Sequence, residues 1–168
     1  FYTKMIFNFK KHNSDLYNTL LSLSRDLFFY NKISLKDTFE TRIYLMFMHF
    51  SIILIIHKFK EIKFEQKDYD SFFFCIENNL REMGFGDVSV NKKMKDFNKI
   101  FYDILLKINT SKNEIKINKE LVLKYFSEFK GVKNDDYQLF DRYFVDFYHF
   151  CFELDHKTKI KKAIKFKV

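Results

Sequence analysis

Proline and tryptophan are absent from all 168 residues, alanine occurs once, and glycine occurs three times. Without proline, no residue lacks the N–H that an uninterrupted helix requires, and no proline-rich linker divides the chain. The two cysteines, Cys75 and Cys151, are far apart and have no CxxC spacing. That excludes a disulfide scaffold and a cysteine zinc site, and leaves two reduced core thiols in a reducing compartment. The longest apolar stretch, Ile43 to Ile56, is broken by His49 and Ser51. It falls short of the ~20 residues a spanning helix needs and reads as a buried central helix. Phe1 to Phe9 lacks the charged-then-apolar order of a secretory signal and runs into Lys10, Lys11 and His12. The sequence opens on phenylalanine, so it need not be the whole gene product.

The inventory for chemistry is equally thin. His12, His49, His57, His149 and His156 form no HExxH or other close ligand pair. Glu40, Glu77, Glu82 and Asp87 could serve as acids or bases, but nothing pairs them with a nucleophile. An enzyme is therefore not expected, nor a metal or cofactor. His49 and His57 are eight residues apart, two turns of one helix. That leaves a haem or metal role open beside the simpler reading of core histidines.

What is abundant is phenylalanine, tyrosine and lysine, with 24 Phe and 10 Tyr. This composition fits a genome poor in G and C, so aromatic abundance by itself says little. Against 26 lysines the four arginines, Arg25, Arg42, Arg81 and Arg142, stand out as places where a planar, multi-donor guanidinium is useful. Net charge is +8, and it is unevenly spread. The twelve residues from Lys157 to Val168 hold six lysines and no acid. The expected organisation is a nearly neutral body, residues 1–156, followed by a basic tail, residues 157–168. The tail reads first as a solvated, frayed end. Because Ile160, Ile164, Phe166 and Val168 alternate with its lysines, an anionic membrane ranks ahead of RNA as a partner. No dedicated nucleic-acid site is expected on the body.

Periodicity predicts an all-α domain of about six helices. Ser14 caps the first, with Leu16, Leu20, Leu23 and Leu27 on one face to about Tyr30. Asp37 opens the second through the DTFE capping box, running to about Lys60. The third spans about Gln66 to Met83, with Tyr69, Phe72, Phe73, Ile76, Leu80 and Met83 inward. The fourth buries Val90, Met94, Phe97, Phe101, Ile104, Leu105 and Ile108. Asn109 to Ile117 reads as a loop that could add a short extended piece, and Asn118 caps a short helix to about Phe129. The last helix, Asn134 to about Leu154, carries eight aromatics between Tyr137 and Phe152. Such a helix is either inserted among others or presents a face to a partner.

Gly84 and Gly86 stand in LREMGFGDVSVNKKMK, between two helical patterns. Gly84 is expected at the left-handed C′ position that ends one helix, with Asp87 or Ser89 capping the next. The corner would bring Arg81, Glu82 and Asp87 together. GFGD lacks the spacing of a phosphate loop and follows no strand, so a structural corner is the better reading.

Three segments in order resemble the ubiquinol-cytochrome c chaperone family, which assists assembly of the cytochrome bc1 complex, respiratory complex III. They are RDLFFY from Arg25 to Tyr30, DTFETRIYLMFMH from Asp37 to His49, and LREMGFGDVSVNKKMK from Leu80 to Lys95, followed by Phe101-Tyr102. The likeness runs from about Arg25 to Tyr102. It implies an all-α, non-enzymatic chaperone holding newly made cytochrome b or another bc1 subunit. The place implied is the cytoplasmic, or matrix-equivalent, surface of the inner membrane, with the ribosome as a further partner. The expected contact residues are Arg42 and His49 on the second helix and a polar rim of Arg81, Glu82, Asp87, Lys92 and Lys93. Tyr137 and Phe144 would stand in an aromatic wall. An RNA- or ribosome-associated adaptor and a haem- or lipid-binding module are the alternatives.

Overall fold

The computed structural model describes residues 14–129 and 134–168. Ser14 is extended, and its hydroxyl accepts the Tyr17 N–H at 3.1 Å, opening α1, Asp15–Ser24. Leu16, Leu20 and Leu23 are buried as their spacing predicts, whereas Leu27 is exposed. The helix stops short of Tyr30 for a local reason. The Asp26 carboxylate accepts the Phe28 N–H at 2.9 Å, a side-chain bond that competes with the helical ladder. The chain then makes a π-helical turn, Phe28–Lys32, which buries Phe29 completely.

The hub is α2, Phe39–Phe59. Its cap is Thr38, whose Oγ1 accepts the Thr41 N–H at 3.1 Å, and not Asp37 as the capping box suggested. The shift by one residue puts Glu40 at the second helical position, where it cannot close the box. It also leaves Asp37 outside the helix with its carboxylate turned to Arg42. Buried residues occupy every side of α2, which packs against α1, α4 and α6. By length and composition α2 could cross a membrane, yet 72% of its most apolar window is buried inside the fold.

Two long helices, α3 (Gln66–Glu82) and α4 (Asp87–Lys107), follow and meet at the glycine corner. Beyond α4 the expected loop is a small antiparallel hairpin, β1 (Asn109–Ser111) with β2 (Glu114–Lys116). Lys112 and Asn113 both take positive φ, 49° and 61°, the two-residue turn whose twist suits a hairpin. The segment Glu114–Lys116 pairs with its central Ile115 buried against the body. Asn118 caps α5, Lys119–Tyr125, by accepting the Glu120 N–H at 2.8 Å. A 3₁₀ turn, Ser127–Phe129, replaces the expected end of that helix.

The aromatic helix is α6, Asn134–Glu153. Of the two readings it is the inserted one: Phe140, Tyr143, Phe144, Phe147 and Tyr148 are all at most 1% exposed.

The lysine-rich segment is docked rather than frayed. It forms the short helix α7, Lys159–Ala163, against α1 and α6. The Phe166 ring lies 5.3, 5.4 and 5.5 Å from those of Tyr143, Phe147 and Phe150. This aromatic seat outweighs the self-repulsion of the lysines. Lys159 is carried into the interior with it, its Nζ without a hydrogen-bond partner. Burial, reinforced by Lys60, pushes its pKa down to about 8.

Candidate functional site

At the glycine corner, Gly84 has φ +94°. Its N–H bonds to the Arg81 carbonyl, and the Phe85 N–H reaches back to Leu80, the paired bonds of a Schellman ending. Gly86 is different: it is the N-cap of α4 with φ −74°, and no side chain caps that helix. Asp87 and Ser89 are therefore not caps. Asp87 stands in the first turn of α4, where the helix dipole favours its charge, and pairs with Arg81. Neither glycine would bring a Cβ into contact with anything. The requirement at Gly84 is purely one of backbone conformation. Gly84→Ala is expected to cost about 1–2 kcal/mol and Gly86→Ala under about 1 kcal/mol, measured as urea midpoints.

The corner closes one side of a cleft of about 600 Å³ between α1, α2 and α3. Its floor is Ile43, Met46 and Cys75; its rim carries Arg25, Arg42, Asn79, Glu82 and Met83. Each helix contributes for a local reason. Arg25 is the C-cap residue of α1. Arg42 lies one turn into α2, where its guanidinium makes two parallel bonds to Asp37, of 2.6 and 2.7 Å. Hydrogen bonding to Arg42 holds the Asp37 carboxyl below the usual carboxylate range. On α3, Asn79 donates to the Tyr17 hydroxyl, and Asn78 is buried beside it. Burial raises the pKa of the Cys75 thiol, so it acts as apolar lining rather than as a nucleophile. The cleft thus has an apolar floor and a rim bearing both charge signs.

The expected site residues fall into three places. Arg42 and Glu82 line the cleft together. Arg81 stands just outside, bridging Glu77 at 2.8 Å and Asp87. Lys92 is exposed, and the Lys93 ammonium lies 4.8 Å from the Phe85 ring centre, so the polar rim is split between the cleft and the outer face of the corner. Met83, expected inward, is 54% exposed at the cleft mouth.

His49, Phe144 and Tyr137 belong elsewhere. His49 and Phe144 are completely buried, which corrects their expected place on a contact surface. Tyr137 is half-buried and donates its hydroxyl to the Ile117 carbonyl, so these residues form no open aromatic wall. The His49 Nδ1–H donates to the Leu45 carbonyl at 2.7 Å, because a carbonyl can only accept. Nε2 then accepts the Tyr143 hydroxyl at 3.0 Å. Both ring nitrogens are committed, leaving no lone pair for haem iron. Burial lowers the His49 pKa to about 4. Among the described residues, no three His, Cys, Asp or Glu side chains gather as metal ligands.

Tyr17, Asn78 and Asn79 complete the cleft but carry no sequence signal, since polar residues on an amphipathic helix ordinarily face water. Arg25 did carry one, its rarity, without a position to attach it to.

The cleft draws on all three sequence segments: Arg25 opens the first, Arg42 lies in the second and Glu82 in the third. The family model described as Ubiquinol-cytochrome C chaperone matches residues 31–125, more than half of the chain. The chain belongs to this family. The match begins after the RDLFFY segment and extends past Tyr102 through α5, leaving α6 and α7 outside it. No curated protein and no solved structure shows a significant match. Membership gives the all-α chain a chaperone role in assembly of the bc1 complex, and a component of that complex as its binding partner in general terms.

Proposed function

We propose that this chaperone holds newly made cytochrome b at the inner surface of the membrane that houses the bc1 complex, and that the cleft between α1, α2 and α3 receives an extramembrane segment of that client. The work is binding and release, with no catalytic step. The observation that carries the reading is the convergence of Arg25, Arg42 and Glu82 on one cleft in a member of this family. An apolar floor can take one or two side chains of the client, and a rim of both charge signs can set its direction.

The test is affinity purification of the tagged chain from membranes of its own host, with mass spectrometry and an RNase-treated control. Cytochrome b is expected to be enriched and insensitive to RNase. Glu82→Lys, an exposed change that leaves the core untouched, is expected to lower its recovery per folded molecule at least about fivefold, as a reversed rim charge does. Another bc1 subunit in place of cytochrome b would overturn the choice of client. Ribosomal proteins alone, lost on RNase treatment, would overturn the reading in favour of an RNA-associated adaptor.

A further inference from the structure

A second cleft, of about 840 Å³, opens where the segment after α1 meets α6 and the residues following α7. Its walls are unusually apolar for a surface. Leu27 is 67% exposed, Leu139 42%, Ile164 41% and Val168 73%, and all four line it. Four large aliphatic side chains gathered on one face are not the scattered singletons of an ordinary surface.

The charge around them has one dominant sign. Arg25, Lys32 and Lys167 line the cleft, and its one acid, Asp26, already accepts the Phe28 N–H. Lys162 and Lys165, also exposed, lie on the same acid-free segment. The docking of Phe166 against Tyr143, Phe147 and Phe150 fixes this segment on the body. The lysines are therefore presented by a folded surface.

We propose that this face seats on the interface of an anionic lipid bilayer, with Leu27, Leu139 and Ile164 entering the boundary between headgroups and acyl chains and Lys32 and Lys167 lying on the headgroup phosphates. Projecting aliphatic side chains ringed by cations match both layers of that interface. A nucleic acid would use the cations but leave the aliphatic groups without a partner, and this cleft has few aromatics on which bases could stack. Arg25 lines both clefts. Seated this way, the chaperone has its first cleft at the membrane edge, where a segment of a membrane-embedded client emerges. The inference adds the membrane face to the function proposed above but needs no client for its test.

The experiment is flotation of the purified chain with vesicles of phosphatidylcholine alone or mixed with phosphatidylglycerol. Binding is expected only to the anionic vesicles and to weaken with salt. Lys32→Gln and Lys167→Gln should each lower it about fivefold. The double change Leu27→Ser with Ile164→Ser, both at exposed positions, should abolish binding while the thermal midpoint stays put. Undiminished binding by that double variant would overturn the proposal, because simple charge attraction would then suffice. So would equal binding to both vesicle types, or binding to RNA without binding to vesicles. Vesicle binding that persists while cytochrome b fails to co-purify would leave the lipid face standing and sink the proposed client.

Discussion

Phe144→Ala is expected to cost about 3–5 kcal/mol of folding stability and to leave client recovery per folded molecule unchanged. Phe144 has no exposed surface. Its ring meets those of Phe140 and Tyr143, each at 5.0 Å, and the His49 imidazole at 4.9 Å. Phe29, from the π-helical turn, completes the cluster at 6.0 Å. Truncation removes the transfer free energy of a phenyl group and leaves a cavity that four rings cannot close without leaving their own contacts. The urea midpoint reports the first effect, and recovery normalised to folded protein reports the second. A small stability change with a large loss of client would return Phe144 to the contact surface.

Acid is expected to destabilise the fold well above the carboxylate range. The folded-state pKa of His49 is lowered by burial to about 4, against an ordinary value near 6.5. The fold accommodates the neutral ring, with Nδ1 donating to Leu45 and Nε2 accepting from Tyr143. The unfolded chain takes up a proton below about pH 6.5 that the folded chain refuses until about pH 4. The His49 contribution is therefore fully present above pH 6.5 and is lost as the pH falls between these values. The loss from pH 7 to pH 5 is about 2 kcal/mol. Burial also lowers the pKa of His57, which adds in the same direction. Asp37, with its pKa lowered by its bond to Arg42, acts only in the more acidic window below the ordinary carboxylate value. Urea midpoints at pH 7 and pH 5 for the wild type and His49→Gln check this. The variant should lose most of the slope whatever its absolute stability, and an unchanged slope would exclude His49 as its source.

These expectations show which parts of the molecule were legible in the sequence. Helical periodicity placed α1 to α6, because burial of one stripe is a local property of a repeating pattern. The same logic put Gly84 at its left-handed ending. Periodicity could not show that Thr38 displaces Asp37 as the cap, since both can accept the same kind of bond one residue apart. Nor could it show that Asp26 would break the first helix. The contact surface was harder to read. A buried aromatic and an exposed one look alike in α6, and only packing against the π-helical turn and α2 shows that Phe144 and His49 face inward. Asn78 and Asn79 join the cleft through the angle between α1 and α3, which no single helix encodes. The docked lysine-rich segment was obscured by its charge, because Phe166 finds its seat on residues far away in sequence.

The most direct test of the central claim, that the cleft between α1, α2 and α3 is where a bc1 subunit is held, is site-specific photo-crosslinking in host membranes. One probe replaces Met83, exposed at the cleft mouth, and a control probe replaces Leu106, 79% exposed and part of neither cleft. Cytochrome b crosslinked from position 83 and not from position 106 is the expected result. Crosslinking from position 106 with none from position 83 would contradict the claim and move the client to the outer face of α4.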